Sequence, residues 1–123
     1  MKRLLFVLIS TFCLGAMACA QNVSELERRA RARETEAESL YGLWLIEHGQ
    51  EEEGLRWLHM AAGMGDLQAK YNIGVYYVNK KQYDKAIPWF EDAAKYGYAD
   101  AQYNLGIHYL NRGNSAQAVL WFE

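Results

Sequence analysis

The side chains that could do chemistry in this chain are few and spread apart. His48, His59 and His108 share no ligand spacing, so they offer no metal site. Both cysteines, Cys13 and Cys19, lie before Gln21, which leaves the remainder without a disulfide framework or a thiolate site. The one acidic run, Glu51–Glu53, reads as the first turn of a helix, where the helix dipole favours carboxylates. It is not a convergent acid/base pair. Nothing here assembles a catalytic constellation or a cofactor motif, and the chain reads as a non-enzyme.

Side chains at a regular spacing offer recognition instead. Positions i, i+4, i+7 and i+11 of a helix share a face. On one helix these are Gln68, Asn72, Val75 and Asn79; on another, Asp100, Asn104, Ile107 and Asn111. An amide both donates and accepts, so an Asn-bearing stripe suits a peptide backbone. Tyr71 and Tyr103 flank the stripe and are candidates for stacking on a ligand. The earlier equivalent is Glu36, Leu40, Leu43 and Glu47. Asn79 and Asn111 end their helices, so capping competes with binding there. For Asn72 and Asn104 an inter-repeat hydrogen bond competes.

The elements that carry this stripe repeat. Gly42, Gly74 and Gly106 recur with a period of 32, as do Trp57, Trp89 and Trp121, and Ala37, Ala69 and Ala101. Self-similarity at such a period marks a solenoid of helix pairs. It predicts an all-α fold of three repeats, 37–68, 69–100 and an incomplete 101–123. The first helix is expected to be completed by Tyr41–His48, and the others to run over Glu51–Ala62, Leu67–Asn79, Tyr83–Lys95, Asp100–Asn111 and Ser115–Glu123. Gly49, Gly63–Asp66, Tyr96–Gly97 and Gly113–Asn114 are the turns. Pro88 stands near a helix start, where a missing N–H costs least. Trp57, Trp89, Tyr77, Tyr109 and Phe90 are expected in the core, with His108 in an aromatic packing slot, His48 beside a helix C-terminus and His59 in solvent.

The N-terminal third differs. Residues 1–20, MKRLLFVLISTFCLGAMACA, have a basic start, an apolar run and small residues at the end, as secretory signal peptides do. The run is shorter than the roughly 20 residues a membrane-spanning helix needs, so no span is expected once it is removed. Ala18-Cys19-Ala20 fits signal cleavage and would leave Gln21 first. The alternative is cleavage before Cys19 with a lipid anchor, though Ala16 and Met17 depart from that motif. The chain is therefore expected in the periplasm or secreted. Residues 21–36 form a charged extension. Ser24 and Glu27 read as a capping box that starts one helix running to about Glu47. Glu25→Arg29 and Glu27→Arg31 are i,i+4 pairs. Arg28, Arg29, Arg31 and Arg33 read as a salt-bridged face, with a basic patch as the alternative. The net charge of −2 argues against a nucleic-acid partner.

The strings GDLQAKYNIGVYY, KAIPWFEDAAKYGYADAQYNLGIHYL and AVLWFE resemble the Sel-like repeat, a branch of the tetratricopeptide superfamily. The resemblance covers Ala37–Glu123. It implies a right-handed α-solenoid and a protein or peptide partner on the concave face, with roles such as envelope homeostasis or host interaction. A protein acting on or binding envelope glycan is the alternative. The last helix stops about one turn short of its counterpart. The expectation is a longer array or self-association through an exposed Trp121–Phe122 edge.

Overall fold

The computed structural model describes residues 22–122, which form seven helices and no strand. They are α1 (residues 22–31), α2 (Thr35–Glu47), α3 (Glu51–Gly63), α4 (Leu67–Asn79), α5 (Tyr83–Lys95), α6 (Ala99–Asn111) and α7 (Ser115–Phe122). The leader with its two cysteines, both cleavage readings, the lipid-anchor reading and Glu123 lie outside the described residues. No helix among the described residues is long and apolar enough to cross a membrane.

One turn is used six times. Arg33, Gly49, Gly65, Lys81, Gly97 and Gly113, evenly spaced at half the repeat period, all have positive φ. The residue after each donates its N–H to a carbonyl in the last turn of the helix just finished, as Gln50 does to Leu45 O at 2.8 Å and Glu34 to Arg29 O at 3.1 Å. This closes the orphan carbonyls of that helix. The same residue opens the next helix; Asp66 does so with its side chain, which accepts from the Gln68 N–H at 3.0 Å. Helices α2 to α6 consequently have 13 residues each.

That turn corrects the reading of the N-terminal stretch. The expected single helix from Ser24 to Glu47 breaks at 32–34, where Arg33 takes φ 68°. Ser24 lies inside α1 and does not start it. The break folds α1 back so that Ala30, Ala37, Tyr41 and Leu45 are buried together, with Val23 and Leu26 packed against them. By period, α1 is the second helix of a preceding repeat: Leu26, Ala30 and Arg33 stand one period before Leu58, Ala62 and Gly65. The arginines are paired, Arg28 with Glu25 at 2.6 Å, Arg29 with Glu34 at 2.6 Å, Arg31 with Glu27 at 2.8 Å and Arg33 with Glu38 at 3.3 Å. The salt-bridged reading holds. Arg29 reaches across the turn to Glu34 instead of back to Glu25, because its helix ends at residue 31.

Successive helices pack antiparallel around small residues. Ala61, Ala62 and Ala69 line the α3–α4 contact, and Ala93, Ala94 and Ala101 the α5–α6 contact. The recurring glycines work differently in different repeats. A Cβ on Gly42 would sit 2.7 Å from Gly54 O, so α2 and α3 meet backbone to backbone. A Cβ on Gly74 would meet the Phe90 ring at 2.7 Å, and one on Gly106 the Phe122 ring. Phe90 is core, with Tyr77 and Tyr109 half-buried against its cluster, whereas Trp57 and Trp89 are half-buried against the clusters of the earlier helices. Trp121 is half-buried against the Leu105 cluster and only Phe122 of the expected edge is exposed. Pro88 is the sixth residue of α5, beyond the first turn, so the Asp84 carbonyl loses its helical partner there.

Candidate functional site

Helices α4, α5 and α6 enclose a groove of about 390 Å³. Tyr71, Val75 and Val78 come from α4, Tyr83, Ile87 and Phe90 from α5, and Asn104, Ile107, His108 and Asn111 from α6. Its walls are mainly aliphatic and aromatic, with two amides and an imidazole along one side. Such a concavity with few polar groups is where a ligand buries apolar surface and is oriented.

Five of the ten stripe and flanking residues meet there: Tyr71, Val75, Asn104, Ile107 and Asn111. The Asn104 amide donates to Tyr71 Oη at 3.1 Å, which is the inter-repeat hydrogen bond weighed for it. Tyr71 is committed to packing, 5.6 Å from Phe90 and 5.2 Å from Tyr98 between ring centroids. Gln68, Asn79, Asp100 and Tyr103 do not line the groove; Tyr103 leans on Phe122 at 6.1 Å. Asn72 is the sharper correction. It is buried, at 9% exposure, and its amide nitrogen has no partner. Helix α2 contacts α4, and at the same register one repeat on Asn104 lines the groove. Asn79 and Asn111 are the last helical residues, and the left-handed turns fall beyond them at Lys81 and Gly113; neither Asn is the αL cap.

Sequence reasoning passed over Val78, Tyr83, Ile87 and His108 as groove residues. For Val78 and His108 the signal was the period itself. Leu43, Ile46 and Tyr76 of one junction become Val75, Val78 and His108 at the next, and each replacement is smaller. Other lining positions change the other way, Ser39, Glu51, Leu58 and Val75 becoming Tyr71, Tyr83, Phe90 and Ile107, so the groove is relined as well as trimmed. His108 does line a packed position, edge-on to Tyr109 at 5.2 Å. Burial, then the nearby Arg112 charge, pushes its pKa below the ordinary imidazole value, against weaker opposing effects of Asp84 and Glu91. His48 caps its helix, with Nδ1 2.8 Å from Trp44 O, and His59 is exposed beside Trp89.

The equivalent place one repeat earlier is bridged. Glu51, at the start of α3, accepts from Tyr76 Oη at 3.2 Å and from Lys80 Nζ at 3.0 Å on α4. The Lys80 hydrogen bond holds the Glu51 pKa below the ordinary value, and the Tyr76 bond adds to it. Glu51 in turn raises Lys80, while Tyr76 is raised first by burial and then by its bond to Glu51. One period on, the same three positions hold Tyr83, His108 and Arg112.

The tetratricopeptide repeat family model matches residues 71–123. A crystal structure of a Sel1 repeat protein from Oxalobacter formigenes superposes with a TM-score of 0.69 at 24% identity, covering 80% of this chain and 85% of that one. The fold of this chain is that of the Sel1-like, tetratricopeptide-type helical repeats. The crystal structure of MamA is also similar, with a TM-score of 0.59 at 25% identity over 72% of this chain and 54% of MamA. No curated protein sequence matches. Folds of the Sel1-like and tetratricopeptide kind are generally protein–protein interaction modules, typically non-enzymatic. In this chain the groove lies between two successive first helices, α4 and α6, with α5 as its floor.

Proposed function

We propose that this Sel1-like protein is a non-enzymatic adaptor, exported by its leader to the periplasm or beyond, that holds a protein or peptide partner along α4 and α6. The observation that carries the reading is the groove: it is apolar, open, and brings together Tyr71, Val75, Asn104, Ile107 and Asn111 from two repeats. The half-exposed Tyr83 at its mouth gives a partner an aromatic surface to meet. The export reading rests on the basic start and apolar run of residues 1–20.

A photo-cross-linking side chain at Tyr83 in living cells tests the partner, with the same probe at exposed Arg56 on α3 as control. A cross-linked species is expected from position 83 alone, released by osmotic shock and lost when Ile107→Asp is added. Equal products from both positions, or none from position 83, would refute a partner on this face. Retention of the chain with cytoplasmic markers would refute export.

A further inference from the structure

We propose that the α4–α5–α6 groove selects a peptide segment in which a glutamate or aspartate side chain stands beside a bulky apolar residue. The acid lies against Arg112 and His108, and the apolar side chain enters between Val75, Val78 and Ile107. This rests on the adaptor reading above and specifies its ligand.

The argument comes from the protein's own earlier junction, where a carboxylate already occupies the corresponding place. Glu51 bridges from α3 to Tyr76 and Lys80 on α4, with bonds of 3.2 and 3.0 Å. At the later junction the basic residue is kept as Arg112 and the aromatic donor is replaced by His108, but the acid has become Tyr83. No carboxylate bridges Arg112 among the described residues. The groove therefore keeps the receiving half of the clasp and lacks the acid that fills it.

Charge and volume point the same way. A second depression, of about 350 Å³, adjoins the groove through Tyr83, which lines both. Lys81, Lys85 and Arg112 line it with one carboxylate, Asp84, so three cations stand against one anion. An arginine fork binds a carboxylate in two-point geometry, which fixes the acid's position and so the register of its neighbour. The neighbouring side chain then faces the apolar wall formed by Val75, Val78 and Ile107. An acid alone gains little at so exposed a site. The adjacent apolar residue supplies the burial, and the acid supplies the selectivity.

The test is a selection of terminally blocked random peptides against the full chain, which removes free C-terminal carboxylates from the competition. Recovered peptides are expected to pair Glu or Asp with an adjacent Leu, Ile, Met or Phe. Their affinity should fall by about tenfold on Arg112→Glu, or on Glu→Gln within the peptide. A grafted clasp sharpens this. Tyr83→Glu with His108→Tyr restores the acid and the aromatic donor of the earlier junction beside the basic Arg112, so the chain should occupy its own groove and lose the peptide. Its helical circular dichroism and Tm should be unchanged or raised. Peptides that lose binding on Ile107→Asp yet carry no acid and ignore Arg112→Glu would overturn the inference and leave the adaptor reading standing. Peptides indifferent to both Ile107→Asp and the graft would overturn both. Recovery of no peptide would overturn the inference alone, since cross-linking at Tyr83 tests the adaptor reading independently.

Discussion

Two seams between successive repeats run through this molecule, and they are built from corresponding residues. At the first, α2 touches α4, Gly42 and Gly54 bring α2 and α3 into backbone contact, and Glu51 clasps Tyr76 and Lys80. At the second, the glycine faces a phenyl ring, the acid is a tyrosine, and a groove of about 390 Å³ opens between α4 and α6. The helices, turns and period are shared, so these differences arise from a handful of side chains. Repeat architecture brings the same helices together at both seams; the side chains that line them, and one carboxylate, make them different.

The comparison can be broken most severely at the glycines. Gly42→Ala should cost about 3 kcal/mol, because the new methyl group meets backbone that cannot swing aside. Gly74→Ala should cost about 1 kcal/mol, since the Phe90 ring can shift. Chemical denaturation of both variants checks this, and equal losses would mean that the two glycines do the same work.

Filling the open seam is the next largest effect. Val75→Leu with Val78→Ile copies Leu43 and Ile46, and should stabilise the fold by about 1 kcal/mol while abolishing peptide binding. Unchanged stability with intact binding would show that these two positions do not set the depth of the groove. A smaller gain is expected from Lys81→Gly, about 0.5 kcal/mol, because Lys81 holds φ 58° where Gly49 and Gly113 stand in the neighbouring repeats. A fall in Tm would show that the lysine side chain contributes more than its backbone strain.

The smallest effect concerns the clasp. Folding lowers the Glu51 pKa, so its contribution is present above the unfolded value near 4.5 and is lost as pH falls through the folded value. Glu51→Gln should therefore lower Tm at neutral pH and converge with the parent chain in acid. A difference in Tm that persists unchanged in acid would remove the clasp from the stability of this seam.

Much of this was legible in residue types. Helices Leu67–Asn79 and Tyr83–Lys95 agree with the expected bounds at both ends, because Gly, Asp and Asn punctuate a strong apolar period. The break at residues 32–34 was not, because Arg33 takes a backbone conformation that usually announces itself as glycine. Half of the predicted stripe reached the groove, and the residues missed, such as Val78 and Ile87, look like ordinary core when read one helix at a time.

The repeat period, the helix pairs and the family resemblance are written in residue order alone, since they depend on local spacing that each segment carries within it. Only the tertiary structure decided that Asn72 is buried while Asn104 lines the groove and donates to Tyr71. The two asparagines share one register position, yet the first is buried with its amide nitrogen unpartnered while the second faces the groove. What lies across the seam is a long-range property that identical local spacing does not encode.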